Sequence, residues 1–389
     1  MDSKLPPKSA TKLNRDRSHS PRAVAAAIAT VTIVGIGLSL SMTLLAVRLA
    51  EQGFSARAIG VNAAAGGLAT LATAPFVPDL ARRLGVKRLL VLALIASAAS
   101  LAALAASTGY WTWLATRSLL GAALTILFTV SEFWIGSGAP AARRGMILGL
   151  YTASFALGVA VGPSILTLTG TQGASPFLAA IVLFLIASLP IALLGGRAPI
   201  IEPRARTSVF AFAAAMPTAM LAALLYGVIE TGAMGFLPVY ALRSGLGAAT
   251  GAVLVTIFAL GNGVFQTPVG LISDWFDRRR LLVLIAGAGA VGALLLPLAR
   301  EAGFAAFAAL LFIWGGVVGS LYAVGLAYLG SRYKGAELAS GNAAYIMLYS
   351  TGMLVGPPLI GLGLDLAPAG LFVALALMLA AYFVLAATS

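Results

Sequence analysis

Three ionisable side chains stand inside long apolar stretches of this sequence: Arg117, Glu132 and Glu230. In a hydrocarbon environment such a group costs about 2.5–3.5 kcal/mol or more, so each needs a reason to be there. Glu230 shares a helical face with Tyr226, Met234 and Leu237. A carboxyl group in a half-dry cavity can bind and release a proton, pair with a cationic solute, or hydrogen-bond to a neighbouring helix. Arg117 can neutralise a carboxylate, hold an anionic group, or snorkel toward backbone carbonyls. Glu132 follows it on the same broad helical face. A rise of ~1.5 Å per residue puts the two ~22 Å apart, so they cannot pair directly. Glu132 is the candidate for a second proton or substrate station, or for a contact with Arg143 and Arg144.

Other polar residues repeat at helical spacing. Asn262 and Gln266 share a face, as do Asn342, Tyr345 and Tyr349, and Trp314 and Tyr322 lie in one apolar run. A mostly apolar pocket with a few polar groups is the usual form of a small-molecule site, so these residues are expected to line a cavity. Hydrogen bonding between packed helices is the alternative. There is no Cys, and the single His is His19. With no clustered carboxylates, no metal-ligand set and no nucleophile–base pair emerges. No cofactor and no enzymatic activity are expected. Gly287, Gly289 and Gly292 match a dinucleotide-binding string, but that motif needs a strand, a turn and a soluble helix. Inside an apolar run they read as packing.

The elements that must position these residues follow from composition. Of 389 residues, 60% are apolar and 10% charged, and mean hydropathy is +1.00. An average soluble domain is roughly a quarter charged. So few polar residues cannot coat a soluble surface, which leaves an all-α membrane protein crossing the bilayer many times. Apolar runs of span length lie near 23–47, 57–79, 88–107, 110–136, 145–170, 176–194, 211–241, 247–273, 281–299, 303–330, 336–362 and 367–387. Residues 1–22 read as a disordered basic tail. Its charged stretch is too long for a signal peptide, so the first span is expected to be retained.

The net charge of +13 is a topology signal rather than a mark of nucleic-acid binding. Of 25 Lys and Arg, only Arg48, Arg57, Arg243 and Arg300 fall on one side, and Arg117 lies within a span. The other twenty fall on the side of the tail, which places both termini in the cytoplasm and adds affinity for anionic lipid. Trp111, Trp113, Trp134 and Trp275 fall at span ends, as interfacial rings prefer.

The sequence also repeats itself. Arg82–Leu92 aligns without a gap on Asp274–Leu284, and both end in Arg-Leu-Leu-Val-Leu. Gly158, Gly162 and Pro163 recur as Gly352, Gly356 and Pro357, and Gly37 and Arg48 recur as Gly232 and Arg243. Twelve transmembrane helices in two pseudo-symmetric six-helix bundles are therefore expected: 23–194 and 211–389, joined by a cytoplasmic linker at 195–210. Small residues four apart let helices approach closely, which assigns Gly149, Gly158, Gly162, Pro163, Gly352, Gly356 and Pro357 to helix packing.

With these motifs in place, residues 23–387 resemble the major facilitator superfamily of secondary transporters. Gly270, Asp274, Arg278 and Arg279 match its loop signature, with Asp277 where a second Gly is usual. In the first half Gly85, Lys87 and Arg88 fit, while Arg82 stands at the Asp position and Pro78 at the first Gly position. The resemblance assigns these loops to gating. Arg117 and Gly121 are similar to a second signature. Gly149, Gly158, Gly162 and Pro163 are similar to a third, which the family associates with proton-coupled exporters; Leu166 and Thr167 replace its trailing glycines. The resemblance implies a monomeric carrier of a small molecule and protons in the inner membrane, working by alternating access and exporting its substrate. Uptake of a small metabolite by symport or uniport stays open, as does a non-transporting receptor or assembly subunit.

Overall fold

The computed structural model describes residues 21–138, 144–190, 209–333 and 335–388. Residues 1–20 of the expected basic tail and most of the expected linker lie outside these residues, as does Arg143, whereas Pro21 and Arg22 begin the first helix rather than ending a disordered tail. Of twelve main helices among the described residues, the first six are α1 Pro21–Glu51, α2 Ala56–Leu84, α3 Val86–Ala106, α4 Tyr110–Gly138, α5 Arg144–Thr169 with a tight turn at Gly162–Ser164, and α6 Ser175–Ile186. After a short helix Val209–Ala215 come α7 Pro217–Arg243, α8 Gly247–Trp275, α9 Arg278–Glu301, α10 Phe304–Arg332, α11 Gly335–Leu366 and α12 Gly370–Thr388. Ten are long and apolar enough to cross a membrane, and the apolar stretches 153–169 and 175–190 are shorter. The helices gather into two six-helix bundles, α1–α6 and α7–α12.

Several ends differ from the apolar runs, each for a local reason. The expected seventh span breaks at Met216, because the residue before a proline disfavours helical geometry and Pro217 starts a new helix. The second runs past its apolar limit through a tight turn at Ala74–Phe76, and stops where Gly85 takes φ +83°. Asp79 and Arg82 therefore pair with each other inside α2 rather than sitting in a loop. The eleventh extends to Leu366, which places Asp365 in the last turn of α11.

Glycines set how closely the helices cross. A Cβ on Gly158 or Gly162 of α5 would collide with backbone atoms of Thr32 and Ile36 in α1. The same collision awaits a Cβ on Gly352 or Gly356 of α11, against Leu224 and Val228 of α7. Each bundle is thus centred on an equivalent close crossing. Gly149 lies within α5, Pro163 in its tight turn, and Pro357 inside α11.

The bundles meet mainly through α2 against α11, with α1 against α7 and α5 against α8. Gly60 of α2 lies against the Pro357 backbone, Gly67 against Leu354, and Gly361 of α11 against Ala56 and Arg57. These contacts run from mid-helix to the end opposite the chain termini. Hydrogen bonds joining the bundles gather at that end: Asp365 accepts from Ala56 N–H and Arg57 N–H at 2.8 Å each, and Ser164 Oγ meets Thr256 Oγ1 at 3.0 Å.

Candidate functional site

Glu230 sits in the middle of α7, half-buried, and helices from its own bundle converge on it. Tyr226 OH, one turn earlier on α7, donates to Oε1 at 3.0 Å. Tyr349 OH, from α11, donates to Oε2 at 2.5 Å. From α8, Asn262 Nδ2 donates to Tyr226 OH at 2.8 Å, and Gln266 Nε2 donates to Asn262 Oδ1 at 2.9 Å. The bonds form one directed chain: Gln266 to Asn262, Asn262 to Tyr226, and Tyr226 with Tyr349 to the carboxylate. A hydrogen bond to a charged acceptor contributes about 1.5–3 kcal/mol, so two phenols offset much of the cost of placing this group here.

Tyr322 of α10 completes the cluster. Its ring lies 5.3 Å from Tyr226 and 5.7 Å from Tyr349, while Tyr226 and Tyr349 stack at 5.9 Å. Such contacts add about 0.5–1.5 kcal/mol each. Tyr345 is fully buried and donates to the Tyr322 carbonyl at 2.8 Å, fixing α11 against α10. Tyr322 also lies within electrostatic range of both Glu230 and Glu132. Glu132 belongs to the other bundle and is exposed.

Other residues singled out in the sequence take different places. Trp314 is buried and spends its indole N–H on Gly289 O at 2.8 Å, in a groove of α9 where Gly292 also faces it. That seats the glycine string and the tryptophan together in helix packing. Met234 is buried on α7. Asn342 lies on α11, and its Oδ1 is buried with no hydrogen-bond partner among the described residues. At the side of the termini, Asp274 pairs with Arg278 at 3.1 Å, and Arg279 Nε donates to Ala386 O at 3.0 Å. Gly270 has open space around it, Gly85 forms the turn into α3, and Lys87 and Arg88 begin that helix.

Arg117 is 6% exposed on α4 beside Gly66 of α2, and makes no hydrogen bond or ion pair among the described residues. Gly121 lies against Gly66, and Thr125 Oγ1 donates to Thr70 Oγ1 at 2.9 Å. The same register sets Arg117 level with Asn62, which is 2% exposed and whose Nδ2 has no partner among the described residues. Asn62 was not legible as a site residue in the sequence; its signal is a lone amide in an otherwise apolar stretch of α2.

The profile of the Major Facilitator Superfamily matches residues 27–253 and 219–388. YfkF, an uncharacterized MFS-type transporter of Bacillus subtilis (strain 168), is 29% identical over 330 residues, 81% of each chain. YcaD, an uncharacterized MFS-type transporter of Escherichia coli, is 24% identical over 321 residues, 81% of this chain and 82% of that one. Among solved structures, the nucleoside transporter NupG superposes with a TM-score of 0.73 at 14% identity, over 94% of this chain and 96% of that one. A bacterial homologue of the human lysosomal transporter Spinster, inward-facing and occupied, superposes with a TM-score of 0.75 at 12% identity, over 94% and 96%. At these identities the structures establish the fold alone.

Proposed function

The chain belongs to the Major Facilitator Superfamily, and we propose that it exports a small amphipathic molecule across the bacterial inner membrane in exchange for protons, with Glu230 as the coupling carboxylate. Transport of a small molecule by a multi-pass membrane protein is the activity of the family. Direction and coupling are our reading, with both termini placed in the cytoplasm on the strength of the Lys and Arg distribution. The resemblance of α5 to the exporter signature supports the direction. The chain is expected to work as a monomer surrounded by lipid, with protons as the second cargo.

The observation that carries this reading is the pair of phenols donating to one carboxylate. Ionised Glu230 accepts from Tyr226 and Tyr349 together. A protonated carboxyl group has one O–H to give, and it presents fewer acceptor sites. Taking up a proton therefore weakens the link between α7 and α11, or forces one phenol to turn. Asn262 and Gln266 extend the disturbance to α8, which packs against the other bundle. A local charge event is thereby tied to the surfaces that must slide in alternating access.

The test is cellular accumulation of a panel of drugs, dyes and metabolites, comparing wild type with Glu230→Gln at matched expression. Lower accumulation of some compounds in wild type only is the expected result. Higher accumulation in wild type turns the reading to uptake. Full pH-gradient coupling in Glu230→Gln would contradict the assignment.

Arg117 favours a second reading. A guanidinium this buried and without a partner among the described residues costs several kcal/mol unless an anion joins it, and the Asn62 amide donor, also without one there, lies on the neighbouring α2. A substrate bearing a carboxylate or phosphate would satisfy both, in uptake by symport or uniport. On this reading Arg117→Gln removes transport of anionic compounds from the same panel and spares cationic ones.

A further inference from the structure

The end of α11 carries a carboxylate that the coupling site does not use. Asp365 Oδ1 accepts from Ala56 N–H and Oδ2 from Arg57 N–H, at 2.8 Å each, in the first turn of α2. Arg243 of α7 donates from Nη2 to Asp365 Oδ1 at 2.8 Å and from Nη1 to Leu364 O at 2.9 Å. Asp365 and Arg243 belong to one bundle, whereas Ala56 and Arg57 belong to the other. We propose that Asp365 is a latch that holds the two bundles together at the end opposite the termini, and that releasing it is a required step of the transport cycle.

The arrangement has the parts a latch needs. The first N–H groups of a helix have no partner within it and carry partial positive charge, so a carboxylate is well matched to them. Charge-assisted bonds of this length are about twice as strong as neutral ones. Arg243 grips both Asp365 and the Leu364 carbonyl within its own bundle, so it keeps the carboxylate aimed whether or not α2 is docked. Opening this end parts the Asp365 bonds to Ala56 and Arg57 and leaves those to Arg243 in place. Gly361 and Gly60 make the docking close enough to reach, since a Cβ at either would strike the facing backbone. The equivalent arginine in the first bundle does something else. Arg48 donates to Gln172 Oε1 at 2.7 Å and to Gly173 O at 3.4 Å, and Glu51 holds Thr171 and Gln172, all within that bundle. At the side of the termini, Asp79 pairs with Arg82 and Asp274 with Arg278, each within its own bundle. The latch sits at the end opposite the termini and biases the two-state equilibrium toward closure there.

The latch rests on the alternating-access reading but not on export or on Glu230, and its test reads conformation rather than transport. The chain has no cysteine, so thiol probes need no background removal. The pair Ser164→Cys with Thr256→Cys reports closure at the latched end, because those hydroxyls touch across the bundles. Spin labels on Arg83→Cys and Ser331→Cys, both exposed, report the separation at the other end. Asp365→Asn is expected to slow initial cross-linking about fivefold and to shorten the 83–331 distances, and Arg243→Gln to act in the same direction. Opposite movement at the two ends separates release of a latch from general loosening. Unchanged cross-linking in Asp365→Asn, or widening at both ends together, would overturn the proposal.

Discussion

The first helix pair of each bundle is the same construction carrying different chemistry. In the repeat, α1 maps onto α7 by the offset that takes Arg48 to Arg243, and α5 onto α11 by the offset that takes Gly158 to Gly352. Those offsets set Gly35 opposite Glu230, and Phe155 opposite Tyr349. In the first bundle a Cβ on Gly35 would meet the Phe155 ring at 3.0 Å, and that ring packs edge-on against Phe128 at 4.9 Å. In the second bundle a carboxylate fills the glycine's place, and a phenol replaces the benzyl ring and bonds to it. The ionisable residues diverge in the same way. Arg117 and Glu132 lie on α4, while α10 has no Asp, Glu, Lys or Arg before Arg332. Glu230 lies on α7, while α1 has none between Arg22 and Arg48. The duplicated backbone supplies the crossing, and each half adds its charge from a different helix.

Substitutions that treat the halves alike probe the shared part. Gly158→Leu and Gly352→Leu should both be severe, since each side chain would have to enter facing backbone. The expected cost is about 1–3 kcal/mol or more. It should show as loss of the monodisperse fraction in detergent and a lower thermal midpoint. Wild-type stability in either variant would mean that the close crossing is not what holds that bundle.

Reciprocal exchange at the diverged pair should have a smaller and one-sided effect. Tyr349→Phe removes one bond to a charged acceptor, so proton-coupled transport is expected to fall about tenfold at retained expression. Phe155→Tyr gives the first bundle a phenol where Gly35 stands in place of a carboxylate, and is expected to leave coupling unchanged. Equal effects from the two would erase the functional asymmetry drawn here. Measuring initial transport rates at two external pH values for both variants decides it.

Much of the fold is legible in the sequence, because an apolar run of span length has few alternatives and a repeat with matching Arg and Gly-Pro positions implies two related bundles. Helix ends are less so. Met216 and Gly85 act through backbone conformation, and α2 continues past its apolar limit at 79 to include Arg82. The residues around Glu230 carry individual signals, such as the spacing of Asn262 and Gln266 or of Tyr345 and Tyr349. Their convergence does not, since it depends on how α7, α8, α10 and α11 pack. Trp314 shows the converse: a polar ring in a span looks like cavity lining until its groove on α9 is seen. Asp365 was invisible because a carboxylate near a helix end reads as ordinary loop polarity. Its partners in the other bundle are backbone N–H groups more than 300 residues away, which side-chain patterns do not reveal.

The central claim is that Glu230 couples proton movement to transport. Its most direct test uses everted membrane vesicles with an imposed acid interior, wild type against Glu230→Gln, and a compound from the accumulation panel that wild type exports. Adding the compound should release interior protons in wild-type vesicles, seen as recovery of a pH-sensitive dye, and should leave Glu230→Gln vesicles unchanged. Equal proton release from both would contradict the account.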